Sequence, residues 1–201
     1  MKYFCVLLCM LLTQTAVFAD KYQKVRIIML DGTTLEGEAT MPNNPSATPI
    51  KFKDKDGSKT RSISCAEIRT LVYVLRDDKT IEFDRMDVYE VGKPNKTRPL
   101  WLSVLKRGAV TLASYEELDV LSSGSGNLYK FHTIWTCYRA GEKAATVIAS
   151  TERKNKKDAF IVAATEYFKD DAELTKKIRN GQYEWGDMPK IVEEYNERKN
   201  N

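Results

Sequence analysis

One histidine, His132, is present in the 201 residues, and that count restricts the chemistry at the outset. A nucleophilic triad needs an imidazole within hydrogen-bond reach of an activated serine or cysteine, and His132 is the sole side chain that could supply it. Cys137 follows five residues later in the same alternating run, so the two side chains are expected on opposite faces of a strand. A Cys65/His132 pair is geometrically open but has no supporting motif. The default reading of His132 is therefore an exposed or edge-facing strand residue.

Metal and phosphate chemistry have equally thin support. Once Cys5 and Cys9 of the expected leader are set aside, one histidine and two cysteines cannot fill the four protein positions of a structural zinc site without carboxylates. Asp54-Lys55-Asp56-Gly57-Ser58 begins like a calcium loop, but its glycine falls at the fourth place rather than the sixth, and Cys65 stands where the bidentate glutamate belongs. A hairpin turn is the better reading. Gly124-Ser125-Gly126 has no helix after it to present amides to a phosphate. No cofactor is expected, and no catalytic residue is assigned. Carboxylates alone suffice for glycoside hydrolysis, and 28 acidic residues leave a converging pair open as a minor reading.

Cysteines and aromatics remain. Cys65 and Cys137 both read as inward-facing, which fits either a disulfide of an exported protein or two buried thiols that fill space. A bridge would close a long loop and stabilise by roughly 4 kcal/mol. Trp101 and Trp135 fall in apolar positions and read as core. Tyr183 and Trp185 sit in a connection between helices and form the expected interaction patch.

The elements that position these residues follow from periodicity. Val25, Ile27 and Met29 alternate with Lys24 and Arg26, and Asp31-Gly32 joins them to Leu35, Gly37 and Ala39: a hairpin signal. Met41 to Pro49 holds three prolines and reads as a loop. A second hairpin carries Ile50 and Phe52, then Ile63 and Cys65 on one face; Leu71 to Leu75 reads as a strand covered on both faces. Gly92 to Pro99 breaks the pattern, and Leu121 to Asn127 has a flexible-loop composition. Tyr129, Phe131, Thr133, Trp135 and Cys137 share one face of a strand against Lys130, His132 and Thr136. The expected fold is α+β: eight to ten short antiparallel strands in a small barrel or sandwich over 20–152, in one sheet system or two (20–92 and 98–152).

From Asn155 the period becomes helical, giving three short C-terminal helices within 153–201. Phe160, Ala164 and Tyr167/Phe168 mark the first. Asp170 to Glu173 resembles a capping box opening the second, which Gly181 ends. Asp187 caps the third, whose Met188, Ile191, Val192 and Tyr195 point inward. None is long enough to be stable alone.

Ahead of this domain, Lys2 precedes ten apolar residues from Tyr3 to Leu12, and Val17 and Ala19 stand at the minus-three and minus-one places of a cleavage site. The apolar run spans only about 15 Å as a helix, too short for a membrane anchor. Residues 1–19 are expected to be a signal peptide cleaved after Ala19, placing the product in the periplasm or outside the cell. Cys5 and Cys9 lie too early for lipid attachment. No later stretch is apolar enough to span a membrane. Without Lys2 the formal charge of +4 falls to about +3, with signs mixed along the chain. Its one dense basic run, Arg153-Lys154-Asn155-Lys156-Lys157, reads as a solvated junction, so nucleic acid is not an expected partner.

The opening strand with Asp31-Gly32 and Gly37, Ile50-Lys51-Phe52, Gly108 with Leu112, and the tail from Glu166-Tyr167-Phe168 through Asp171, Leu174, Ile178 and Val192 to Tyr195-Asn196 together resemble a group of uncharacterised exported proteins of Bacteroidetes. The chain departs from that group at Ala113, where an aromatic is commoner. The resemblance implies an envelope or secreted location and a small β domain with a helical end, and brings no catalytic residue or ligand with it. The functional expectation is a non-catalytic interaction or structural module with an unnamed protein or glycan partner. Glycan binding through exposed aromatics is the alternative, ahead of a carboxylate hydrolase.

Overall fold

The computed structural model describes residues 22–57, 59–75, 78–90, 93–123, 126–151 and 156–200; the expected leader, Gly124-Ser125 and the basic residues Arg153 to Asn155 lie outside them. The α+β expectation holds. Ten antiparallel strands are followed by three helices: β1 (Tyr22–Met29), β2 (Thr34–Thr40), β3 (Ile50–Asp54), β4 (Thr60–Ile63), β5 (Ile68–Val74), β6 (Thr80–Glu90), β7 (Lys93–Lys106), β8 (Thr111–Ser123), β9 (Gly126–Tyr138), β10 (Thr146–Ser150), then α1 (Lys156–Tyr167), α2 (Ala172–Arg179) and α3 (Met188–Asn200). One sheet contains all ten strands in the order β10-β9-β8-β7-β6-β5-β1-β2-β3-β4.

The β1–β2 turn is built as its residues dictate: Gly32 adopts φ +87° and the Asp31 carboxylate accepts from the Thr33 N–H at 2.8 Å. Asp54 to Gly57 is likewise a hairpin turn, closed by Gly57 N–H to the Asp54 carbonyl at 2.8 Å with Gly57 at φ +68°.

Alternation along β1 to β5 buries Val25, Ile27, Ala39, Ile50, Phe52, Ile63, Ile68, Leu71 and Tyr73 in one cluster. A flat strip could not bring side chains of β4 and β5, at opposite ends of the order β5-β1-β2-β3-β4, into one core, so this part of the sheet curls. The other half curls too. Ala145, just before β10, donates its N–H to the Asp87 carbonyl at 2.7 Å and accepts from Tyr89 N–H at 3.1 Å, a parallel bridge that closes β6 to β10 around Val88, Leu100, Leu102, Ala113, Tyr115, Ile134, Tyr138 and Val147. There are thus two curled halves with their own cores, joined through unbroken β5–β6 and β6–β7 pairing.

The helices pack outside the second half. Phe160, Ala164, Phe168, Leu174, Ile178, Met188, Ile191, Val192 and Tyr195 share a core with Leu112, Cys137 and Ile148. Asp171 caps α2 by accepting the Leu174 N–H at 2.9 Å, and Gly181 at φ +72° ends that helical turn. Asp187 closes a 3-10 turn (Trp185–Asp187) that runs directly into α3, its carboxylate accepting from Glu184 N–H at 3.0 Å.

Three local expectations are corrected. Cys65 opens a 3-10 turn (Cys65–Glu67) rather than continuing a strand, because Ser64 caps that turn by accepting the Ala66 N–H at 3.3 Å. Of the stretch expected to break the pattern, Lys93 to Pro99 is strand and Gly92 lies outside the described residues: a proline suits a strand where its nitrogen faces an unpaired edge. Pro99 meets that condition, since Trp101 two residues on directs its N–H away from β6 to the Pro45 carbonyl at 2.7 Å. Leu121 to Ser123 and Gly126 to Asn127 extend the β8–β9 hairpin in register, Leu121 opposite Leu128 and Ser123 opposite Gly126, so pairing overrides their loop composition.

Cys65 and Cys137 are both free and buried, in different clusters, so the tertiary structure selects the two-thiol reading over the bridge. Cys65 donates to the Ala47 carbonyl at 3.3 Å, and burial pushes both thiols above their ordinary pKa. Iodoacetamide should therefore label neither in the native protein and both after unfolding without reductant. An intact mass showing two unlabelled sulfurs in the unfolded, unreduced chain would contradict this.

Candidate interaction cleft

β7 and β8 pair over a short stretch only: Ser103 with Ser114, Val104 with Ala113 and Lys106 with Leu112. Beyond Ser103 and Ser114 the two strands part. β7 continues with β6 as far as Lys93 opposite Glu90, while β8 continues with β9 to Ser123 opposite Gly126. The splay opens a cleft of about 560 Å³ whose walls are Leu100 and Trp101 on β7, Glu116 and Leu118 on β8, Phe131 on β9, and the loop around Pro45.

Each wall has an identifiable support. The Met41 to Pro49 loop is fastened to β7: besides the Trp101 N–H bond, Trp101 Nε1 donates to the Ala47 carbonyl at 3.0 Å and Arg85 Nη1 to the Pro45 carbonyl at 3.3 Å. Arg85 also lies over the Trp101 ring, 5.3 Å from its centroid. Across the cleft, Arg98 on β7 is ion-paired with Glu117 on β8 and lies 3.5 Å from the Tyr115 hydroxyl, so side chains bridge the strands where their backbones do not meet. Leu118 and Phe131 sit opposite each other in register on one face of the β8–β9 hairpin, 48% and 69% exposed, and Tyr129 on the same face is 60% exposed.

The residues singled out for chemistry do not converge here as a catalytic group. His132 is only 1% exposed, which corrects the expectation of an exposed or edge residue. It faces the inner side of the second half, the side of Ile134, and its Nε2 is 3.2 Å from the Asp119 carboxylate. His132 lies on the face of β9 that the curl of β6 to β10 turns inward, which alternation along β9 alone does not contain. Cys137 faces the helical core on the other side of β9, as expected, and Cys65 belongs to the first half. Glu116 and Glu117, two carboxylates at the cleft, are sequence neighbours on a strand and so point to opposite faces.

The helix connection that carries Tyr183 and Trp185, the expected interaction patch, packs on the helical core. Both are half-buried against the helical core, and the Tyr183 hydroxyl donates to Glu194, which raises its pKa to about 12. Three buried helix residues, Met188, Ile191 and Val192, draw the connection inward. Leu118, Tyr129 and Phe131 are exposed together on the β8–β9 hairpin. Period-two alternation placed Tyr129 and Phe131 with Trp135 and Cys137, but only the lower pair is covered by helices.

Among the described residues no helix is long and apolar enough to cross a membrane. In comparisons with protein-family models, with curated proteins and with solved structures, the chain matches none.

Proposed function

We propose that this chain is an exported, non-catalytic interaction module of the bacterial envelope, and that it engages its partner through the β7–β8 cleft and the aromatic wall beside it. The observation that carries this reading is that Leu118 and Phe131, both exposed, line one wall of the cleft, with the exposed Tyr129 beside them on the same face of the β8–β9 hairpin. Covering large apolar side chains stabilises by about 1.5–3 kcal/mol each, and exposed contiguous apolar surface next to a concave site is characteristic of interaction sites. Lys2, the Tyr3 to Leu12 run, Val17 and Ala19 support export. The resemblance to exported Bacteroidetes proteins agrees with it.

A photo-crosslinking amino acid at position 131 in cells is expected to yield a discrete adduct, and the same probe at Val162, an equally exposed apolar position on α1, is expected to yield none. Mature protein beginning at Asp20 should be recovered from the periplasm or medium. Equal adducts at both positions, or none at 131, would refute the assigned surface. Glycan binding is favoured specifically by Tyr129 and Phe131, whose rings lie two residues apart on one strand face, close enough for one sugar chain to stack on both. Retention on immobilised polysaccharides that Phe131→Ser abolishes would select that alternative.

A further inference from the structure

We infer that the cleft accepts one extended polypeptide segment, which adds to β8 as an extra strand and presents a basic residue and an apolar residue two positions apart. The inference rests on the cleft being the binding surface and names what fills it.

Thr133 on β9 donates its N–H to Thr151 Oγ1 at 3.0 Å and accepts from the Thr151 N–H at 3.1 Å, so both its backbone groups face β10's side. Its register partner Glu116 therefore belongs to a non-hydrogen-bonded pair, and the Glu116 N–H and C=O point away from β9, into the cleft. Leu118, two residues on, repeats the orientation. β8 thus offers two donor and acceptor sets at the spacing of alternate strand residues, without a strand partner among the described residues.

The opposite edge offers less to such pairing. On β7 the Trp101 N–H is taken by the Pro45 carbonyl, and Pro99, which faces the same way, has no N–H to offer. Strand addition is therefore favoured on β8.

Side chains specify the occupant. An added residue opposite Glu116 meets a carboxylate that is exposed and accepts one hydroxyl hydrogen bond, from Thr133 at 2.7 Å, which favours lysine or arginine there. Glu117 and Asp119 have basic neighbours of their own, Arg98 and His132. The residue opposite Leu118 lies on the same face and meets the exposed Leu118 and Phe131 side chains. The required pattern is basic-x-apolar, read in either direction.

Selection of short random peptides on the immobilised mature chain tests this. Enriched peptides are expected to share that pattern, and methylating their backbone nitrogens one at a time should weaken binding about tenfold or more at alternate positions and little in between. Leu118→Pro, which removes an N–H that β9 does not use, should abolish binding with unchanged far-UV circular dichroism, and Glu116→Lys should weaken it. The methylation scan reads strand addition even if the proline variant fails to fold. Peptides that depend on Phe131 yet tolerate methylation everywhere would overturn strand addition and keep the cleft as the site. Peptides indifferent to both Phe131→Ser and Leu118→Pro would overturn both, as would the absence of any enriched sequence. A concentration-dependent dimer abolished by Leu118→Pro would replace the peptide with a second copy of the chain.

Discussion

Replacing Asp84 by alanine is expected to destabilise the protein by about 3–5 kcal/mol, enough to lower its melting temperature by roughly 10 °C. Asp84 is 7% exposed on β6 and accepts from three elements at once: Thr70 on β5 at 2.7 Å, Arg107 at 2.9 Å and the Tyr138 hydroxyl on β9. Alanine leaves the buried Thr70 and Tyr138 hydroxyls without their acceptor, at about 1–3 kcal/mol each, and removes the counter-charge of Arg107. Arg107 keeps a bidentate contact to Glu82 at 3.1 Å, so its own share of the loss is modest. Asp84→Asn retains one acceptor oxygen and should fall between the two proteins. Guanidinium unfolding monitored by circular dichroism measures the series, and a loss below about 1 kcal/mol for alanine would show that the contacts contribute little.

The same cluster sets an alkaline limit. Burial first, then the Asp84 charge, raises the Tyr138 pKa far above that of a free phenol. Its folded pKa exceeds its unfolded one, so the associated stability is full below about pH 10 and declines as pH rises beyond it. Tyrosinate absorbance should therefore grow together with loss of circular dichroism rather than ahead of it.

Asn196→Ala is expected to cost about 2–4 kcal/mol. The Asn196 amide, buried on α3, accepts from the Val110 N–H at 2.8 Å and donates to the Val110 carbonyl at 2.9 Å, completing backbone pairing at the turn into β8 as a neighbouring strand would. The approach is close because Gly108 lacks a side chain: a Cβ there would lie 2.3 Å from Asn196 Nδ2. Gly108→Ala must therefore displace the amide and break both bonds. The two substitutions should be strongly non-additive, with Gly108→Ala costly beside Asn196 and nearly neutral once Asn196→Ala has opened the space. Equal costs of Gly108→Ala in both backgrounds would contradict the arrangement.

These two sites also mark how far the sequence could be read. Gly108 and Asn196 each stand out as a turn glycine and a tail asparagine, but only α3 folding back over the β7–β8 turn makes them one device. Asp84 carried no signal at all, since period two along β6 places a carboxylate inward without saying that Thr70, Arg107 and Tyr138 will surround it. The cleft was hidden for a similar reason: Leu118, Glu116 and Phe131 look like ordinary residues of a hairpin until β7 is seen to part from β8 at Ser103.

What the chain determines by itself is local. Alternation over Val25 to Met29, the Asp31-Gly32 turn and the Gly181 stop act through neighbours a few residues away, and each appears where the residues demand it, while the cap expected from the Asp170 to Glu173 pattern falls one residue later, on Asp171. The tertiary structure alone decided that His132 is covered, that Cys65 and Cys137 stay apart in separate cores, and that Phe131 stays exposed while Trp135 does not. Periodicity assigns a side chain to a face. Whether that face meets a helix, the inside of a curled sheet or solvent depends on how distant strands close, which no local pattern encodes.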